Sequence, residues 1–239
     1  MRYIILFLFS VCFVPNVRAQ IYEVGFFLGN SNFIGDVGST KYIAPVRPAA
    51  GLLVKWNRST RHSFRASVLF TNLEARDKNS DDPRRVKRNY EISNTIMELS
   101  AGMEFTFWDF DLNSPYHQIT PYLYTGISTA RHKNYYFNTT KTSPPPGAPI
   151  RPIYENTYSW AYGIPMVLGV KTTSLEGLII GAEIGVRYTF SDEIDGSSPD
   201  NPTRKNQHQF GNINSNDWYV FSGITLTYTF GNKPCYCFN

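Results

Sequence analysis

Eight times along this chain, apolar side chains recur at every second residue. The segments cover residues 22–29, 49–56, 63–72, 95–108, 120–131, 161–171, 177–190 and 218–230. A period of two is the signature of a β-strand with unlike faces. Residues 177–190 show it most cleanly, with Leu178, Ile180, Ala182, Ile184, Val186, Tyr188 and Phe190 on one face. Residues 120–131 alternate least cleanly. The opposite faces carry Glu23, Lys55, Arg65, Glu98, Glu104, Lys171, Glu183 and Arg187, four acids and four bases. A soluble sandwich would bury the apolar face. A membrane barrel would turn that face to lipid and enclose the charged one. Alternation alone does not choose between them.

Connection length does. The segments are joined at 57–61, 109–119 and 172–176 by short links, and at about 30–48, 73–94, 132–160 and 191–217 by long ones. Short and long alternate strictly. Outer-membrane barrels sort their connections in this way, with short periplasmic turns and long external loops. Sandwiches have no reason to. Aromatic residues also gather near segment ends (Tyr22, Trp56, Phe105, Phe107, Tyr188, Phe190, Tyr228, Phe230), as interfacial girdles do. The expected fold is all-β: an eight-stranded antiparallel up-and-down transmembrane barrel. Eight strands leave a lumen that side chains fill. Charges enclosed there must be paired, because isolated ones are too costly. The eight charged residues are therefore expected to form a lumenal network. Glu183 and Arg187 are two pleats apart on one strand, and Glu98 and Glu104 are placed to meet Arg65 on a neighbouring strand. A water-filled channel is not expected.

Residues 1–19 read as a secretory signal peptide. Arg2 begins it, a short apolar run follows, and Val17-Arg18-Ala19 precedes the expected cleavage before Gln20. Cys12 follows Val11, where a lipidated cysteine is usually preceded by a small residue. The expected domains are the signal peptide 1–19, the barrel 20–231 and a periplasmic tail 232–239. The formal charge of +4 falls to about +2 when Arg2 and Arg18 leave, which by itself suggests no nucleic-acid partner. Of three cysteines, only Cys235 and Cys237 remain. Their C-x-C spacing closes a strained ring if bridged, and parity places them in the periplasm, where disulfides form.

Chemistry is sparse. His62, His117, His132 and His208 show no metal-ligand spacing and read as solvated loop residues. No G-x-S-x-G elbow is present. A rim constellation of His132, Ser191 and Asp192 is buildable for a lipid-modifying barrel enzyme, but unspecific. The run Arg84-Arg85-Val86-Lys87-Arg88 after Asp81-Asp82 reads as a self-compensated loop, with lipopolysaccharide phosphates as the other reading. The Pro-rich segment 142–152 and the Asn-rich segment 191–217 read as loops. No catalytic, cofactor or metal site is assigned.

The opening stretch, Glu23-Val24-Gly25-Phe26-Phe27-Leu28-Gly29-Asn30-Ser31-Asn32-Phe33-Ile34-Gly35-Asp36, resembles the start of the PorG family of type IX secretion proteins. Ala49-Ala50-Gly51-Leu52, Trp56-Asn57, Phe64-Arg65-Ala66 and Thr120-Pro121-Tyr122-Leu123 are also similar to it. The Gly-x-Ser-Asn-x-x-Gly-Asp element at 29–36 is the most telling piece. The resemblance covers most of the mature chain, and the long loops least. It implies a small, non-enzymatic outer-membrane barrel of the machinery that exports cargo bearing a C-terminal signal. It also implies contact with a periplasmic ring of the PorK lipoprotein and PorN. The surface expected to make that contact comprises 57–62, 109–118, 172–176 and 231–239, with Arg58, Asp111, His117, Cys235 and Cys237 as its candidate residues. The other partner is outer-membrane lipid. The competing readings are a structural or adhesive barrel and the lipid-modifying enzyme.

Overall fold

The computed structural model describes residues 21–39, 41–138, 147–175, 177–212 and 214–231. The expected signal peptide 1–19, the expected tail 232–239 with Cys235 and Cys237, and part of the Pro-rich segment lie outside the described residues.

Eight antiparallel strands close into a ring in chain order. They are β1 Ile21–Ile34, β2 Arg47–Asn57, β3 His62–Arg76, β4 Glu91–Thr106, β5 Ile119–Tyr136, β6 Ile153–Leu175, β7 Leu178–Thr189 and β8 Trp218–Phe230. Strand β1 pairs with β8 from Tyr22↔Phe230 to Ile34↔Trp218, so no edge is left open. At one end, links 58–61, 107–118 and 176–177 join strands; at the other, links 35–46, 77–90, 137–152 and 190–217 do so. We call these the turn end and the loop end. Gly177, at φ +80°, makes the tightest turn possible.

Exposure is inverted relative to a soluble protein. Phe26, Leu52, Ile127 and Leu168 are exposed on the outer wall, while all eight charged residues of the opposite face are buried. Two aromatic bands bound the apolar wall. At the turn end Tyr22 stacks on Phe230 with centroids 6.0 Å apart, and Trp56 packs on Phe64 at 5.5 Å. At the loop end Tyr188 packs edge-on to Trp218 at 4.7 Å. Along β8, Trp218 and Phe230 mark the two bands. At about 3.3 Å per residue and a tilt of about 40°, they stand roughly 30 Å apart, which suits a hydrocarbon layer about 25 Å tall with its flanking girdles. No described helix is long and apolar enough to cross a membrane, which leaves a strand-built barrel unaffected.

Several strands outrun their sequence pattern. Strand β6 begins at Ile153, where 161 was expected, β5 runs on to Tyr136, and β3 to Arg76. Towards the loop end the lumen gains an apolar cluster: Phe27, Leu53, Leu69, Leu73, Ile92 and Ile96 are buried together. The long connections are also not plain loops. Link 77–90 holds a 3-10 turn, Asp77–Asn79, and helix α1, Pro83–Arg88. Link 190–217 holds helix α2, Pro202–His208. Each helix starts on a polar cap with proline behind it. The Asp82 carboxylate accepts from the Arg84 amide, and the Asn201 side chain accepts from the Thr203 amide. Tyr90, Phe137 and Phe210 stack together over the loop end, with Tyr90 and Phe137 nearly parallel at 4.1 Å.

Candidate functional site

The lumenal charges meet across the barrel rather than along a strand. Arg65 of β3 reaches Glu183 of β7 with two parallel bonds, Nη1 to Oε2 at 2.7 Å and Nη2 to Oε1 at 2.8 Å. That bidentate geometry is the strongest a guanidinium makes. The Tyr122 hydroxyl donates to the same Glu183 at 2.6 Å. Glu104 lies between Lys55 and Lys171, each 2.8 Å away, with Arg65 at 3.9 Å. Glu23 accepts from Asn57 at 2.8 Å and Thr227 at 3.0 Å, and Lys55 stands 3.9 Å from it. Glu98 takes Arg187 at 3.2 Å and the Tyr219 hydroxyl at 2.6 Å. The expected meeting of Glu98 with Arg65 does not occur. Glu183 and Arg187 likewise take partners on other strands. Closing eight strands brings opposite walls within reach of long side chains. Four acids against four bases leave no net charge. Phe110, folded inward from link 107–118, lies under the Lys171 ammonium at 4.8 Å and covers the turn end.

Glycine makes room for these side chains. Gly169 faces Tyr122 in register, and a Cβ there would lie 2.4 Å from the tyrosine ring. Gly169→Ala is therefore expected to push Tyr122 off Glu183 and to cost about 1–3 kcal/mol. Urea unfolding in lipid vesicles reads this. An unchanged midpoint would show that the ring is not held in place.

The turn end carries the residues expected to meet a partner. Arg58 is exposed, with its guanidinium 5.8 Å from the Trp56 ring. Asp111 caps its own turn by accepting from the Asn113 amide at 2.9 Å. The exposed His117 ring lies 3.0 Å from the Thr173 carbonyl, joining two turns. Among the described residues no hydrogen bond or ion pair links these three to one another. They share one end of the barrel, not one cluster. Arg61 pairs with Asp109 at 2.7 Å and holds that carboxyl below its usual range. Tyr116 stands almost free of neighbours, 79% exposed.

At the loop end, several readings from sequence are corrected. His132 is not a solvated loop residue. It lies in β5, wholly buried, with Nδ1 3.3 Å from the Lys133 carbonyl and Nε2 unpartnered among the described residues. No described hydrogen bond joins it to Ser191 or Asp192, so the rim constellation is not assembled. His208 ends α2 and stacks on Tyr136 at 5.4 Å. His62, by contrast, lies at the turn end, where it begins β3, is exposed as expected and packs on Phe105 at 5.2 Å. The basic run forms α1 and is only partly solvated. Arg88 grips Asp77 at 2.7 Å, and Arg85 donates to the carbonyls of Gly35 and Gly38.

The element at 29–36 is also part of this end. Ser31 Oγ shares a hydrogen bond with Thr71 Oγ1 at 2.6 Å, and Asn32 donates to the Tyr42 carbonyl at 2.9 Å. The Asp36 and Val37 amides donate to Asp195 Oδ2 at 2.8 and 3.1 Å. Sequence reasoning misses Asp195 and Asp217. The available signal is Asp192-x-x-Asp195-Gly196, with the glycine at φ +74°.

A family model described as "Domain of unknown function (DUF6089)" matches residues 2–239. No curated protein matches the chain. Among solved structures, Ail, the attachment invasion locus protein of Yersinia pestis, solved with the heparin analogue sucrose octasulfate, is 10% identical. The match covers 89% of this chain and 100% of that one, with a TM-score of 0.46. Neisserial surface protein A is 11% identical over 88% of this chain and 97% of that one, with a TM-score of 0.44. A major outer membrane protein from Thermus thermophilus is 15% identical over 89% and 100%, with a TM-score of 0.46.

Proposed function

We propose that this chain, which belongs to the DUF6089 family, is a non-enzymatic outer-membrane barrel of the type IX secretion machinery that holds a periplasmic PorK/PorN-type ring against the membrane. One observation carries the reading: a sealed, charge-neutral lumen beside a compact exposed turn end. With all eight charges buried and Phe110 over the turn end, the barrel is a solid post. A solid post conducts no cargo, so its contribution to export is a surface. The turn end supplies one, with Arg58, Asp111 and His117 around it and Tyr116 standing out as a ready aromatic anchor. The similarity of residues 23–36 to the PorG family names the machinery. Cys235 and Cys237 belong to the same proposed surface.

Deletion of the gene with complementation tests this. Cargo sharing a C-terminal signal domain is expected to accumulate in the periplasm while other barrels assemble normally, as read by mass spectrometry of medium and periplasm. Exchange of turns 58–61 and 109–118 for inert turns is expected to release the ring partner in pull-downs while the barrel still inserts. Unchanged secretion on deletion would overturn the reading.

A second reading has its own observation. The described parts of the long connections share an apolar cap at the loop end, with Val37, Phe137 and Ile194 buried together. A built outer surface of this kind suits an adhesive or structural barrel, and intact secretion with lost surface attachment would favour it.

A further inference from the structure

Among the described residues, every buried acid has a cationic partner except at one place. Glu23, Glu74, Asp77, Glu98, Glu104 and Glu183 each have a Lys or Arg nitrogen within ion-pair distance. At the loop end Asp195 and Asp217 are as deeply buried, 1% and 0% exposed, and no described ion pair reaches them. Asp192 joins them, and one carboxylate oxygen from each of the three lies within 4.8 Å of the others. Three like charges this close, partly out of water, repel strongly unless protons or a cation intervene.

A second observation concerns Asp217 alone. Its Oδ2 accepts the Ile194 amide at 2.9 Å and the Asp195 amide also acts on it, which brings the carboxylate into the 192–195 turn. Its Oδ1 is buried and has no hydrogen-bond partner. A Cβ at Gly35 would lie 2.6 Å from that oxygen and 2.5 Å from the Phe33 ring, so only glycine lets the 29–36 element pack this closely against the carboxylate. A buried, unpartnered carboxylate oxygen is rare and costly. It is what a metal ligand looks like without its metal.

We infer that Asp192, Asp195 and Asp217 bind a divalent cation, with calcium the ion that fits best. The donors are all hard oxygen atoms, which select against soft metals. They come from the two ends of the irregular link 190–217, and calcium accepts such irregular oxygen shells where magnesium demands a near-ideal octahedron. Asp195 is already organised for the task. Its Oδ1 accepts from the Ser197 amide at 2.8 Å, and its Oδ2 holds the Asp36 and Val37 amides. Asp36 adds a further negative charge nearby, and Lys205 offsets part of the charge at Asp192. The ion would tie together the two ends of link 190–217, which Asp195 in turn holds to link 35–46 through the Asp36 and Val37 amides.

Titration behaviour agrees. Burial and the neighbouring carboxylates push Asp192 up to about 7, and they raise Asp195 and Asp217 above the usual carboxylate range. A carboxyl raised in the folded state stabilises most below its unfolded pKa, and that stability is lost as pH rises through the folded value.

The test uses the full chain folded in detergent micelles. Tb³⁺ luminescence sensitised by Trp218, the neighbour of Asp217, is competed with CaCl₂, and calcium binding is measured directly by calorimetry. One saturable site is expected, with a Kd of about 10⁻⁴ to 10⁻³ M, as in other extracellular modules. Affinity should fall at about pH 5, where Asp192 is protonated. Asp217→Asn and Asp192→Asn should each weaken binding at least about tenfold. Asp109→Asn, in the turn end, should not. Heat-modified gel mobility shows which variants fold, and the half-buried Asp192 gives a fallback should Asp217→Asn fail. No saturable calcium binding by the native chain, or equal binding by folded Asp192→Asn, overturns the site.

Discussion

Arg65→Met should remove about 3–5 kcal/mol from the stability of the folded barrel, the usual cost of orphaning one partner of a buried pair. The size of the effect comes from what stays behind. Glu183 would keep its charge at 7% exposure and lose both guanidinium bonds, with only the Tyr122 hydroxyl still donating to it. Glu104 would lose a neighbour at 3.9 Å but retain Lys55 and Lys171. The double variant Arg65→Met/Glu183→Met should recover most of the loss, because two apolar side chains of similar bulk replace a matched pair. Urea unfolding in vesicles, followed by tryptophan fluorescence, gives the three values needed for the cycle. A loss below about 1 kcal/mol for the single variant would mean that water reaches the pair. The lumen would then not be sealed, and the case for a solid post would weaken with it. Arg61, whose partner Asp109 is exposed at the turn end, is the natural control and should show no such loss.

The reason this network was only half legible in the sequence is geometric. Alternation marks which side chains enter the lumen, and all eight do. It says nothing about which opposite wall they reach. Arg65 and Glu183 are 118 residues apart and lie on strands that share no backbone pairing. Partner choice follows from barrel closure and stagger, which no single segment encodes. Strand ends failed for a different reason. In β4 the inward parity reads Ile92, Asn94, Ile96, Glu98, Ser100, Gly102, Glu104. The outward parity reads Ser93, Thr95, Met97, Leu99, Ala101, Met103. The period never changes, but its polarity inverts near residue 97. Below that point lipid lies outside and charge inside; above it the wall turns polar and an apolar cluster joins the polar side chains of the interior. A reader following the apolar face stops where the solvent changes, not where the strand does. The acid cluster was hidden by distance in the chain, since Asp192 and Asp217 meet only after link 190–217 folds back.

The inversion also sets up the strongest test of the membrane reading. Ile127→Arg should destabilise the barrel by about 2–4 kcal/mol in vesicles, because a guanidinium at mid-depth on the lipid face loses its hydration. Ile127 is 74% exposed on β5. Its register fixes its depth: Leu123 pairs with Phe105 of the turn-end band, and Arg131 pairs with Trp160 towards the loop end, leaving Ile127 near the middle. In a water-soluble protein the same exchange would be close to neutral, since it replaces an exposed apolar side chain by a charged one. Leu175→Arg supplies the contrast. Leu175 is 71% exposed, nearly the same, but it ends β6 at the turn end, beyond the aromatic band. Its substitution should cost about 0–1 kcal/mol. Equal exposure with unequal cost is something only a layered solvent produces. If both variants unfold at the native midpoint, the apolar wall does not lie in lipid. Some other partner would then have to cover it, and the girdles of Tyr22, Trp56, Tyr188 and Trp218 would need a new explanation.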